Sequence, residues 1–142
     1  MRCDSKRLDR STLLLVLLAG SPGRPFYEAQ LQMAVFRALT GLPDLIDCDA
    51  FDFVPSPYGM RDANIVADLE ALQLSGDASI RPAGVGRWAS YAASAEGQKR
   101  GTEIIGGIDM AARRCLLQIS SDVRQHARGR AAFRRSCSCG EC

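Results

Sequence analysis

The sequence predicts a mainly helical α+β domain with the order of parts of a winged helix-turn-helix: a β-hairpin wing and extra C-terminal helices. Three observations carry that reading. A turn rich in proline and glycine, from Pro55 to Gly59, precedes a segment with helical periodicity. Two short β-rich runs, 78–81 and 87–92, follow it across a loop holding Pro82, Gly84 and Gly86. Apolar spacing of helical period resumes on both sides of that block.

Taken in order, the first element is the apolar run Leu13 to Ala19, capped by Asp9 or Ser11 and ended by Gly20 and Pro22. Basic residues before the run and small residues after it also mimic a secretory signal. Acidic Asp4 and Asp9 and the short apolar core count against that alternative. The run is therefore read as a first core helix and the protein as cytoplasmic, with no apolar stretch near the ~20 residues that span a membrane. A second helix runs from Phe26 to about Leu39, its inward stripe formed by Leu31, Val35 and Leu39 with Met33 and Phe36 at the edge. Gly41 and Pro43 close it. An acidic connection from Asp44 follows, with a short strand around Phe51 to Val54.

Pro55, Pro57 and Gly59 deny a regular element ahead of the next helix, because proline lacks a donor and glycine permits left-handed backbone. That helix spans Asp62 to Leu74, with Asp62 as N-cap, Ile65, Leu69 and Leu72 inward, and Gly76 as the residue that ends it. Trp88 and Tyr91 are read as hairpin core or cross-strand residues. Two further helices, 95–105 and 109–125, are separated by Gly106 and Gly107. Ile108, Ala112, Cys115 or Leu116, and Ile119 mark the inward face of the last. At 142 residues and 46% hydrophobic content, residues 1–125 form one domain, and 126–142 read as a flexible Arg/Cys-rich tail.

The run Phe53, Pro57, Tyr58, Gly59, then Asp68, Leu69, Leu72, Gly76, then Tyr91 and Gly97 resembles the pattern of small bacterial winged-helix proteins of the SocA-like antitoxin (Panacea) and YwgA-like group. The resemblance covers roughly residues 11–107. Met60 stands where that group has proline, and Ser94 to Gly97 replaces its threonine-rich link. It implies a winged-helix fold and a choice between binding DNA and binding a protein partner. It carries over no catalytic residue.

Charge is distributed unevenly. Residues 1–40 carry six basic and three acidic groups, 41–80 one and eight, and 81–142 eleven and five, giving +3, −7 and +6. The candidate recognition helix lies in the acidic segment. Asp62, Asp68 and Glu70 are therefore candidates for a surface that steers a basic protein partner, since carboxylates oppose phosphate. The nucleic-acid candidates are Arg61 just before that helix, Asn64 on it, where an amide side chain can pair with adenine, and Arg81 and Arg87 on the wing. Gln73 offers a second amide.

Cys3, Cys48 and Cys115 are read as buried free thiols. Cys137, Cys139 and Cys142, with His126, offer three thiolates and an imidazole, a weak candidate set for tetrahedral zinc; no other cofactor is expected. An enzyme is not expected. One histidine in an arginine-rich stretch limits Ser-His or Cys-His chemistry, and phosphate-loop and dinucleotide motifs are absent. The acidic cluster Asp44, Asp47, Asp49, Asp52 lacks the spacing and glycine of a calcium loop.

Two functions follow. One is a transcriptional regulator, a homodimer reading two DNA half-sites. The other is a protein-interaction module, antitoxin-like or part of a defence complex, on the same scaffold.

Overall fold

The computed structural model describes residues 7–22, 24–57 and 59–125. In order these form α1 (Arg10–Ala19), β1 (Phe26–Tyr27), α2 (Glu28–Gly41), a 3-10 turn (Cys48–Ala50), β2 (Val54–Ser56), β3 (Gly59–Arg61), α3 (Ile65–Leu74), β4 (Ala78–Arg81), β5 (Ser90–Ala93), α4 (Ala95–Gly106) and α5 (Met110–Gln125). The chain is α+β and mainly helical, as expected.

Asp9 rather than Ser11 caps α1, its Oδ1 accepting from the Thr12 amide at 2.9 Å. Leu13 through Ala19 are all buried, so this helix is enclosed by the others instead of showing one inward stripe. It packs against α2, α3, α4, α5 and β5. The helix α2 begins two residues later than predicted because Phe26 and Tyr27 form a strand. Tyr27 donates its amide to Gln30 Oε1 at 2.8 Å, which sets the helix start at Glu28. A two-residue strand has no period to read in sequence.

β1, β5 and β4 form one antiparallel sheet in that order, with Tyr91 opposite both Phe26 and Ile80. Tyr91 lies in the core, as predicted, whereas Trp88 lies outside the strand and is exposed. The proline-rich turn is a second difference. Val54 to Ser56 pairs with Gly59 to Arg61, Pro55 lying opposite Met60. A two-stranded exposed hairpin tolerates the proline because an edge does not require every ladder hydrogen bond.

Gly76, at φ +90°, ends α3 in the left-handed region and turns the chain into β4. Gly97 has a different role: a Cβ there would collide with the Asp77 carbonyl oxygen, so only glycine lets α4 lie on the α3–β4 turn. Ser94 locks the same corner, accepting from the Gly97 amide at 3.0 Å and donating to Gly76 O at 2.6 Å. The inward face of α5 is Cys115, Leu116, Ile119 and Val123, with Ala112 partly buried. No helix among the described residues is long and apolar enough to cross a membrane.

Candidate macromolecule-binding face

Ile65, Leu69 and Leu72 point into the core, so the predicted register of α3 holds. The opposite face presents Asn64, Ala67, Glu70, Ala71, Gln73 and Leu74 to solvent. Asp62 is not the N-cap. That position is Asn64, and Asp62 sits two residues upstream with its Oδ1 accepting from the Asn64 amide at 2.8 Å.

The surroundings of Asp62 also correct its assignment to a steering surface. It is 1% exposed. Arg10 reaches it from α1 with a forked pair, Nη1 to Oδ2 at 3.0 Å and Nη2 to Oδ1 at 3.1 Å, while the Asp52 amide donates to Oδ2 at 2.7 Å. Gln32 on α2 fixes the Asp62 backbone in both directions, accepting from its amide at 2.9 Å and donating to its carbonyl at 3.1 Å. The same arginine donates Nε to Asp68 Oδ2 at 2.7 Å and Nη1 to the Ala50 carbonyl at 2.8 Å. Its guanidinium lies 4.5 Å from the centre of the Phe51 ring. Burial pushes the Asp62 carboxyl up, but hydrogen bonds from Arg10 and from the Asp52 and Asn64 amides outweigh it, and its pKa falls below the ordinary value. For Arg10 the hydrogen bond to Asp62, with the pair to Asp68, overcomes desolvation and holds the guanidinium more firmly protonated.

Two of the three predicted partner-binding carboxylates are thus consumed inside the protein, and Glu70 alone stays exposed. Among the nucleic-acid candidates, Arg61 is also engaged, its Nη2 and Nε donating to Glu28 Oε2 at 2.7 and 3.1 Å. Asn64, Arg81 and Arg87 are exposed. The hairpin between β4 and β5 narrows at Gly84 and Arg87, whose backbones exchange bonds of 2.9 and 3.0 Å. Val85 at its tip is fully exposed, Trp88 is 79% exposed, and Leu74 at the end of α3 is 88% exposed. Glu28 and Glu70 both act on the Tyr91 phenol, whose pKa is raised first by burial and then by their charges.

Arg10 and Gln32 are the residues that sequence reading missed. The available signal was slight: Arg10 is a lone cation at the start of an apolar helix, and its partners lie 52 and 58 positions later. Elsewhere, the depression between the α3–β4 turn and α4 is lined by Asp77, Glu96, Lys99, Arg100 and Glu103. Its mixed charges, including the Asp77–Arg100 pair at 3.2 Å, favour neither an anion nor a cation.

Among the described residues no group of three histidine, cysteine or acidic side chains is placed to hold a metal. The zinc candidates Cys137, Cys139, Cys142 and His126 lie outside the described residues, as do Cys3 and Tyr58. Cys48 is a half-buried free thiol, and Cys115 is buried on the inward face of α5. No family model, curated protein or solved structure matches this chain.

Proposed function

We propose that this chain is a winged-helix DNA-binding regulator, with α3 directed to a major groove and the β4–β5 hairpin to the neighbouring backbone and minor groove. The order α1, β1, α2, α3 and the β4–β5 hairpin, with a separate β2–β3 hairpin inserted between α2 and α3 and with β1 paired onto β5, supports the winged-helix reading. The observation that carries the DNA reading is the engagement of Asp62 and Asp68 by Arg10, which lowers from −2 to −1 the charge that this pair sets against phosphate. What remains on the outer face of α3 is one carboxylate, Glu70, between two amides, Asn64 and Gln73, of the type that pairs with adenine. Arg81 and Arg87 stand exposed on the adjoining hairpin. A homodimer would set two such faces about one helical turn, ~34 Å, apart.

The test is a fluorescence anisotropy titration of duplex DNA across a salt series. Two phosphate contacts correspond to about −1.8 in the slope of log affinity against log salt. Arg81→Ala with Arg87→Ala should weaken binding and make that slope shallower by about this amount. Unchanged affinity and slope would remove the wing from the interface.

One observation favours a second reading, a protein-interaction module. Leu74, Val85 and Trp88 expose large apolar surface on α3 and the hairpin, and such surface marks interaction sites. Its docking face would be neutral and apolar, not the acidic one expected from sequence. Leu74→Ser separates the readings: it should leave duplex affinity within about two-fold, because lost apolar contact does not alter phosphate neutralisation, but abolish association with a protein partner.

A further inference from the structure

We infer that Arg10 is a positioning residue for the α3 face: it is the built-in counter-ion that keeps Asp62 and Asp68 from projecting negative charge onto a bound duplex. The inference rests on the DNA reading above. It deepens that reading by assigning a binding role to a residue on α1 that would not touch the DNA.

The geometry separates this role from generic core packing. One guanidinium serves two carboxylates on the same segment, with five hydrogen-bond donors of fixed direction available to it. Nε goes to Asp68, both Nη atoms fork onto Asp62, and one Nη also reaches the Ala50 carbonyl. Arg10 side-chain exposure is 18%, against 1% for Asp62 and 21% for Asp68, so the cluster lies at the rim where α1 meets α3. Its formal sum is −1. Without the arginine it would be −2, and in a partly buried setting water would screen that charge incompletely. Asp68 lies on the helix that Asn64 caps and that carries Gln73, four and five residues from them, little more than one turn in each direction, so its field falls on the surface proposed to meet phosphate.

The experiment measures duplex affinity for four full-length variants and the wild type at low and high salt, with thermal melts establishing that each is folded. Arg10→Gln should weaken binding about two- to five-fold at low salt, the size expected from one charge near a phosphate, and the deficit should shrink as salt rises. Arg10→Lys, which keeps the charge but not the fork, should bind like the wild type. Adding Asp68→Asn to Arg10→Gln restores the sum to −1 and should restore affinity. Asp68→Asn alone should tighten low-salt binding by a similar factor, and it keeps the test decisive if Arg10→Gln does not fold.

A loss in Arg10→Gln that is independent of salt, or is not rescued by Asp68→Asn, would overturn the counter-ion role in favour of a structural one. So would a folded Arg10→Lys that binds as poorly as Arg10→Gln, or an Asp68→Asn protein that binds like the wild type. Failure of the DNA reading is distinguishable, because the wild-type protein itself would then show no duplex binding at any salt concentration, and the counter-ion role would fall with it.

Discussion

Arginines on the two sides of α3 have opposite fates. Behind it, Arg10 is bonded to Asp62, Asp68 and the Ala50 carbonyl and covers the Phe51 ring. On the hairpin beyond it, Arg87 is exposed and makes only one long side-chain hydrogen bond, 3.5 Å to the Pro82 carbonyl. The difference teaches that the sign of a sequence segment is not the sign of its surface. Residues 41–80 sum to −7, yet Asp62 and Asp68 are met by Arg10 from α1, and Asp77 by Arg100 from α4, both from outside that segment. Conversely, its single arginine, Arg61, is taken by Glu28 of α2. The outer side of the helix that the sequence marks as acidic keeps a single exposed carboxylate, Glu70.

The largest expected effect breaks the inner member of this comparison. Arg10→Ala leaves Asp62 charged at 1% exposure without its main partner, and removing one side of a buried pair typically costs about 3–5 kcal/mol. Arg87→Ala removes an exposed cation and should change stability by no more than about 0.5 kcal/mol. Urea melts of the two variants measure the contrast. Equal midpoints would mean that Arg10 is as free as the hairpin arginine and that the cluster does not hold α1 to α3.

The next effect compares the two faces of α3 themselves. Leu69 is fully buried, so Leu69→Ala leaves a cavity and should cost about 2–5 kcal/mol. Leu74→Ala, at a position 88% exposed, should fall within about 0.5 kcal/mol. Near-equal melting temperatures for these variants would show that the helix is rotated from the placement described.

How much of this was legible in the sequence depends on the range of the interaction. The register of α3, the cap of α1, narrowed to Asp9 or Ser11, the end at Gly76 and the strand β4 are set by neighbours within a few residues, and periodicity or turn chemistry exposes them. β1 escaped because two residues carry no period and it exists only by pairing with β5. The β2–β3 hairpin escaped because proline was weighed as a breaker without regard to an exposed edge. At the site, the exposure of Arg81 and Arg87 followed from their places flanking the hairpin loop. The burial of Asp62 did not, since Arg10 and Gln32 approach it from helices 52 and 30 residues away. A charge count along the chain has no access to that geometry.

The smallest expected effect is a change of slope, and it sharpens the comparison by titrating the inner cluster alone. Asp62 has a folded-state pKa below its ordinary value, which is about 3.9 for an unfolded aspartate. Between those two values the unfolded chain binds more protons than the folded one, so stability rises with pH there. The contribution of Asp62 is therefore fully present above the unfolded pKa and is lost as pH falls through the folded one. Asp62→Asn removes that titration: it should lower stability at pH 7 and flatten the decline measured by urea melts from about pH 5 downward. The double hairpin variant, Arg81→Ala with Arg87→Ala, should retain the wild-type acid slope, because neither guanidinium touches the cluster. An Asp62→Asn protein whose stability falls in acid as steeply as the wild type would show that Arg10 does not stabilise the Asp62 carboxylate preferentially in the folded state. The inner cluster would then be no more coupled to folding than the hairpin.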